Sequence, residues 1–153
     1  MQDRFRFRGY WYNDVQEEWW VFDEPEFITG DGTAEIWSNS EGGAYPELPS
    51  DAELHLCQCT GLKDKNGKLV YEGDIVNYDD RDLDPSHKPI LNAVIELRKY
   101  QWCMVYYRKD IIDAHTRKPA ERKTWLGFDD FISSRIEVIG NIYKNKELID
   151  NII

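Results

Sequence analysis

The sequence predicts a mainly β fold, with α structure only at the margins. Apolar and polar residues alternate in many short segments, whereas apolar residues spaced three and four apart are scarce. Turn-forming residues separate these segments. Aromatic residues make up 14% of the 153 residues, which favours strands and is unlike the composition of a disordered chain.

Two hairpins are predicted near the N-terminus. The alternation from Arg4 to Gly9 is typical of a half-buried strand, and residues 19–22 supply its return strand. Residues 26–29 and 33–37 flank Gly30-Asp-Gly32, which predicts a second hairpin. Residues 38–50 contain two glycines and two prolines and no periodic pattern, so we expect a loop there.

Charge is distributed unevenly along the chain. Twelve acidic residues and no lysine or arginine lie between Gly9 and Leu62, and the formal net charge is −10. The rest of the chain has 17 acidic and 19 basic residues. We therefore predict a single domain, residues 1–153, with an acidic N-terminal part of about residues 1–50 and a β part of about residues 51–153. Such asymmetry influences the choice of partner more than the fold.

The middle of the chain contains the clearest turn signals. Asn66-Gly67 predicts a two-residue hairpin loop of type I′, in which both central residues have positive φ. This loop joins a strand from Leu54 to a return strand at residues 69–71. Glu72-Gly-Asp74 predicts a tight turn into a buried strand that starts at Ile75. Because this strand entry is common in SH3-like barrels, we expect small curved sheets or a partly open SH3-like barrel.

The second half of the chain predicts further strands and little helix. Gly140 indicates a bulge or a turn in the last strand, and Asn145 is a candidate N-cap for a short C-terminal helix. The predicted elements are an acidic loop at residues 79–89, strands at 93–97 and 102–107 joined around Lys99-Tyr100, an exposed excursion at 110–123, a short strand at 125–128, a helical turn at 129–134 and a last strand at 136–142.

Three motifs resemble one known family. Residues 59–76 read Cys-Thr-Gly-Leu-Lys-Asp-Lys-Asn-Gly-Lys-Leu-Val-Tyr-Glu-Gly-Asp-Ile-Val, and residues 136–143 read Ile-Glu-Val-Ile-Gly-Asn-Ile-Tyr. Residues 4–11, Arg-Phe-Arg-Phe-Arg-Gly-Tyr-Trp, are a looser match. These segments resemble the YopX-like proteins of phages and prophages, a family with no established biochemical activity. The resemblance implies a phage or prophage gene product and transfers no catalytic or binding residues.

No metal site or cofactor is predicted. His55, Cys57 and Cys59 place three possible zinc ligands on one strand face. Alternate residues of a strand spread over about 13 Å, which is too far for ligands that must each lie about 2.0–2.3 Å from one ion. The acidic loop that starts at Asp79 has Asp84 and Ile90 where a calcium-binding EF-hand needs glycine and glutamate. We therefore expect core residues on the strand and an exposed loop.

Catalytic patterns are weak, so we expect a protein that is not an enzyme. The thiols and serines have no convincing neighbouring base, and Asp129-Asp130 has no partner for acid–base chemistry. The chain contains no run of 18 apolar residues and starts without an apolar signal core, which predicts a cytoplasmic protein without membrane contact. The odd cysteine count predicts buried, reduced thiols.

Residues 98–123 form one basic region, with eight basic and three acidic residues interleaved with aromatic ones. Such a region can bind single-stranded nucleic acid by phosphate contact and base stacking. The candidate residues are Arg98, Lys99, Tyr100, Trp102, Arg108 and Lys109. We favour the alternative that the aromatic residues face the core and the charges are solvated, because the net charge opposes a polyanion.

The leading functional hypothesis is a non-enzymatic phage or prophage accessory protein that acts through protein–protein interaction and forms a homo-oligomer. Tryptophan and tyrosine are abundant here and are favoured at interfaces. A host or phage protein is a further possible partner. Two alternatives are a nucleic-acid-binding accessory protein that uses residues 98–123, and an acidic decoy that mimics the charge of DNA.

Overall fold

The computed structural model describes residues 6–23, 26–29, 34–37, 54–127 and 130–150. Short strands dominate this part of the chain, and its two helices have four residues each. The strands are β1 (Phe7–Asn13), β2 (Glu18–Asp23), β3 (Glu26–Thr29), β4 (Ala34–Trp37), β5 (Leu54–Lys63), β6 (Leu69–Tyr71), β7 (Asp74–Tyr78), β8 (Ile90–Arg98), β9 (Gln101–Ile112), β10 (Pro119–Trp125) and β11 (Ile136–Asn141). The helices are α1 (Asp130–Ser133) and α2 (Glu147–Asp150).

The strands form two sheets and a separate hairpin. One sheet has the order β2-β1-β5-β6, the second has the order β10-β9-β8-β7-β11, and β3 pairs with β4. Neighbouring strands run antiparallel. One of the sheets curls into a half-barrel. The predicted mainly β fold with small curved sheets is therefore confirmed.

The two sheets have separate apolar clusters. The larger cluster packs Val76, Ile95 and Met104 from the five-stranded sheet against residues from other elements. The smaller cluster joins Tyr10 of β1 to Cys57 and Cys59 of β5. All three cysteines are buried and free, as the sequence predicted. No helix in the described ranges is long and apolar enough to cross a membrane.

The N-terminal hairpins form as predicted where the structure describes them. β2 covers the return strand expected at residues 19–22, and β3 and β4 pair along residues 26–29 and 34–37. The first strand begins at Phe7. Gly30-Asp-Gly32 and the loop expected at residues 38–50 lie outside the described residues.

The hairpin at Asn66-Gly67 is real, but its predicted type I′ turn is wrong. Gly67 has a φ of 79°, whereas Asn66 is not among the residues with positive φ. The N–H of Gly67 donates to the Asp64 carbonyl at 2.9 Å, and the N–H of Asp64 donates to the Lys68 carbonyl at 2.8 Å. This is a three-residue loop that ends in a left-handed glycine. The Asp64 side chain favours the wider loop, because it accepts the N–H groups of Asn66 and Lys68, both at 2.9 Å.

Two consecutive left-handed residues occur instead at Lys99 and Tyr100, with φ values of 49° and 64°. They join β8 to β9 between the paired residues Arg98 and Gln101. Glycine or asparagine normally occupies such positions, because a side chain in the left-handed conformation costs about 1–2 kcal/mol. This turn therefore stores backbone strain at a place where the sequence gives no glycine signal.

The expected exposed excursion at residues 110–123 is a hairpin whose register shifts between Pro119 and Ala120. β9 continues to Ile112 and β10 begins at Pro119, six residues before the strand expected at 125–128. β8 pairs with β9 only as far as Val105. Beyond that point, within the described residues, β9 and β10 pair only with each other. We call residues 106–122 the arm.

The C-terminal elements agree with the prediction except for the helix cap. α1 forms within the expected helical turn, and the register of β11 shifts between Val138 and Gly140, as a bulge requires. The Asn145 side chain does not cap α2, because its Oδ1 accepts the N–H of Asn141 at 3.1 Å. A Cβ atom at Gly140 would lie 2.5 Å from that oxygen, so glycine permits the contact.

Candidate functional site

A cleft of about 300 Å³ lies where the four-stranded and five-stranded sheets separate. β5 contributes Leu56 and Cys57 to its lining, and β8 contributes residues 94–97. The corner Glu72-Gly73, which connects β6 to β7, lines it as well, and Tyr143 does so from the turn after β11. The cleft therefore combines residues that are distant in sequence.

The corner ties the two sheets together through consecutive main-chain amides. The N–H of Glu72 donates to the Gln58 carbonyl of β5 at 2.9 Å, and the N–H of Gly73 donates to the Ile95 carbonyl of β8 at 2.8 Å. Gly73 has a φ of 82°, and a Cβ atom there would lie 3.4 Å from Ile142. A left-handed glycine lets the chain pass from one sheet to the other in this confined space.

Asp74 supports the corner from inside. It is 1% exposed, and its Oδ2 accepts the N–H of Tyr71 at 2.8 Å. Burial raises the pKa of Asp74 to about 6. This carboxyl fixes the backbone that carries Glu72 and Gly73, and it does not line the cleft itself.

Aromatic side chains surround Tyr143. Its ring stacks on Tyr10 with centroids 4.5 Å apart, and the rings of Trp19 and His55 each lie 5.1 Å away. The Sγ of Cys57 donates to the Tyr143 hydroxyl at 3.7 Å. Burial raises the pKa of the Cys57 thiol to about 11, so it is protonated at neutral pH and is a poor nucleophile.

The three residues weighed as zinc ligands have structural contacts. The His55 ring packs in the aromatic cluster, and Cys57 and Cys59 are 2% and 1% exposed in the smaller core. The N–H of Gly61 donates to the Cys59 Sγ at 3.4 Å. Within the described ranges, no group of three His, Cys, Asp or Glu side chains is placed to hold a metal ion.

The cleft is acidic and apolar. Glu72 and Glu96 are its charged residues, and none of the described residues that line it is basic. Leu56 and Leu97 contribute apolar surface and are 44% and 45% exposed. Such a surface suits a ligand that combines apolar groups with positive charge.

The candidate nucleic-acid residues do not assemble into one surface. Arg98 forms ion pairs with Glu96 at 2.7 Å and with Glu121 at 2.5 Å, and these pairs raise its pKa. Trp102 packs against the larger core. Tyr100 is 99% exposed at the strained turn. Arg98 and Trp102 are therefore engaged within the protein, whereas Tyr100 is open to solvent.

The remaining candidates lie elsewhere. Lys99 is exposed beside Tyr100. Arg108 donates twice to Asp110, at 2.8 and 2.6 Å, and Lys109 is exposed on the arm. Eight strand residues, or about 26 Å, separate Tyr100 from Arg108. The candidates therefore fall into two groups, one at the turn between β8 and β9 and one on the arm.

Sequence reasoning missed the cleft. The turn at Gly73 was recognised, but no local pattern shows that it joins two sheets. Glu72, Glu96 and Tyr143 come together only through strand pairing between distant segments.

Comparisons with known proteins identify a family and a similar solved structure. The family model described as YopX protein matches residues 6–150. No curated protein matches the chain. The crystal structure of protein EF1440 from Enterococcus faecalis is similar at 22% sequence identity, covering 94% of this chain and 96% of that chain with a TM-score of 0.36.

Proposed function

The chain belongs to the YopX family, and on that premise we propose that it is a non-enzymatic phage or prophage accessory protein of the cytoplasm that binds proteins and associates with itself. The observation that carries this proposal is the arm. It extends beyond the part of β9 that pairs with β8, and near its end Ile111 and Ile112 are 36% and 55% exposed. Exposed apolar residues on a projecting element favour an interface.

Apolar contact supplies most of the free energy in this proposal. Full burial of one wholly exposed isoleucine side chain contributes about 1.5–3 kcal/mol, and Ile111 and Ile112, at 36% and 55% exposed, together offer about one such side chain. An exposed ion pair contributes only ~0–1 kcal/mol. Two arms that bury their isoleucines against each other, or against another apolar surface, therefore gain more than a few surface ion pairs provide.

Charge then selects how the copies meet. Arg117 and Lys118 are exposed at the end of the arm, whereas Asp14, Glu17 and Glu18 are exposed in and beside the turn between β1 and β2. Attraction between these opposite charges accelerates association and is screened by salt. Raising the salt concentration should slow association more than it weakens the final complex.

Sedimentation velocity over the micromolar range, at low and high salt, tests this proposal. We expect the wild-type protein to form larger species as its concentration rises. A double variant with Ile111→Ser and Ile112→Ser should remain monomeric, whereas Leu83→Ser, which changes a 51% exposed residue of the acidic loop, should behave as wild type. A wild-type monomer throughout would refute self-association, and dissociation by salt alone would show that charge dominates.

The two alternatives have less support. Nucleic-acid binding would have to use Arg98 and Trp102, which are ion-paired and packed against the core, respectively. Filter binding with single-stranded DNA at low and high salt separates this function from the proposed one. A decoy that mimics the charge of DNA would rest on the acidic part, much of which lies outside the described residues.

A further inference from the structure

One wall of the cleft is an edge of β5 that pairs with no other described strand at Leu56. Alternate residues of an antiparallel strand direct their N–H and C=O groups to opposite neighbours. Cys59 bonds to Arg6 before β1, whereas the Gln58 carbonyl turns the other way and accepts the N–H of Glu72. The main-chain N–H and C=O groups of Leu56 point the same way as those of Gln58. Because β6 ends at Tyr71, no described strand pairs with Leu56 on that side.

The opposite wall is an unpaired edge of β8. The Ile95 carbonyl points away from β9 and accepts the N–H of Gly73. Leu97, two residues further along the strand, points the same way. β7 begins only at Asp74, so no described strand reaches Leu97 on that side.

Both edges therefore face the same space, because Leu56 and Leu97 both line the cleft. We propose that the cleft is a strand-acceptor site in which an extended, basic segment of a partner protein pairs its main chain with the exposed edges of β5 and β8. Unpaired edges are the usual receptors for an added strand, and main-chain hydrogen bonds supply affinity in this mode of binding.

The side chains of the cleft define the chemistry of the segment. An extended peptide points alternate side chains in opposite directions. Apolar side chains would contact Leu56 and Leu97, whereas lysine or arginine side chains would reach Glu72 and Glu96, the latter shared with Arg98. Tyr143 lines the same cleft and offers an aromatic face to the stem of a cationic side chain. The preferred segment alternates apolar and basic residues.

The strand directions constrain how the segment lies. β5 runs towards the corner, because Gln58 makes the corner contact and Leu56 precedes it. β8 runs away from the corner, because Ile95 makes the contact and Leu97 follows it. A single inserted strand is therefore antiparallel to one wall and parallel to the other.

This inference rests on the proposal that the protein acts by binding proteins, but it does not require self-association. The two fail separately: a monomeric protein that binds the peptide described below would retain the cleft site and refute the homo-oligomer. A self-associating protein that ignores the peptide would do the reverse.

Fluorescence anisotropy with a labelled peptide, acetyl-Thr-Lys-Val-Lys-Val-Lys-Thr-amide, tests the inference. We expect saturable binding to the full chain. Replacing the lysines of the peptide by glutamates should weaken binding at least about tenfold, which corresponds to 1.4 kcal/mol. N-methylation of the valine amides should weaken it to a similar extent, because it removes main-chain donors and leaves the charges in place.

Protein variants locate the site. The double variant Glu72→Gln and Glu96→Gln should weaken binding of the lysine peptide by about tenfold or more. Asp130→Asn changes an exposed carboxylate at the start of α1 and should leave binding unchanged. Hydrogen exchange should show new protection at the amides of Leu56 and Leu97 when the peptide is bound.

Two results would overturn the inference. One is no binding of the lysine peptide at millimolar concentration. The other is binding that N-methylation does not alter, which would indicate general charge attraction rather than strand pairing. Thermal melting of the double variant checks that it is folded. If it is not, the comparison of the lysine, glutamate and N-methylated peptides on the wild-type protein still tests the inference.

Discussion

Removing the carboxylate of Asp64 should destabilise the protein more than any surface substitution. Asp64 is 5% exposed, and its Oδ1 accepts the N–H groups of Asn66 and Lys68, both at 2.9 Å. Its Oδ2 accepts the N–H of Val138 at 3.0 Å and so links the hairpin to β11. Hydrogen bonds to a charged group contribute about 1.5–3 kcal/mol each. In Asp64→Ala, water can replace the carboxylate as acceptor for the two N–H groups of the exposed loop, but not for the N–H of Val138. We therefore expect the substitution to lower the free energy of unfolding by about 3–5 kcal/mol.

Urea unfolding followed by tryptophan fluorescence measures this loss. The loss of stability for Asp64→Asn should be intermediate. Its amide oxygen still accepts the N–H groups of Asn66 and Lys68, whereas its NH₂ group cannot accept the N–H of Val138. Asp113→Ala is the matched control. Its Oδ1 also accepts two main-chain N–H groups, from His115 and Thr116 at 2.9 and 2.8 Å, but at the surface of the arm. Equal losses for Asp64→Ala and Asp113→Ala would refute the argument that burial makes these bonds strong.

Three further predictions use the same unfolding measurement. Gly67→Val should cost about 1–2 kcal/mol, because φ is 79° although no atom lies within 4 Å of a new Cβ; an unchanged midpoint would contradict this. Replacing Lys99 by Asn and Tyr100 by Gly should raise stability by about 1–2 kcal/mol, and no gain would argue against two left-handed residues. Asp74 has its pKa raised from 3.8 to about 6, so the folded state binds this proton more tightly than the unfolded state does. Its contribution to stability is present below about pH 4 and is lost as pH rises through about 6, a change on the order of 3 kcal/mol. Asp74→Asn keeps an acceptor for the N–H of Tyr71 and should remove that slope; an identical pH profile would disprove the link.

Local signals predicted the strands and failed on the turn that a distant contact controls. β6 occupies residues 69–71 as expected, because turn residues bound it on both sides. The type of the preceding turn depends on Asp64, whose carboxylate also bonds to Val138, 74 positions along the chain. Asn66-Gly67 alone favours a two-residue loop. No pattern within that stretch contains the competing interaction.

The arm shows why a polar segment can be a regular strand. Alternation is visible in a sequence only when one face of a strand is buried. Residues 109–112 are exposed throughout, so their sequence resembles a loop. The ladder between β9 and β10 instead pairs Ile112 with Pro119 and Arg108 with Ala120, so the segment is held at both ends. Hydrophobic periodicity therefore predicts strands only where one face of the strand is buried.

The cleft could not be predicted from the hydrophobic periodicity of the sequence, for a different reason. Side-chain patterns show which face of a strand is buried, but they do not show which edge lacks a neighbour. The edge at Leu56 is open because β6 ends at Tyr71, and the edge at Leu97 is open because β7 begins at Asp74. Both limits follow from the corner, where the amides of Glu72 and Gly73 bond to different sheets.

The two proposed interaction surfaces are far enough apart to work independently. Leu97 pairs with Trp102 near the turn at Lys99-Tyr100, whereas Ile112 lies ten residues further along β9. That separation is about 33 Å along the strand. An arm engaged with another copy therefore leaves the cleft of its own protomer open, so one molecule could hold a neighbour and a peptide segment at the same time. Peptide binding that is unaffected by Ile112→Ser is the expected consequence of this separation.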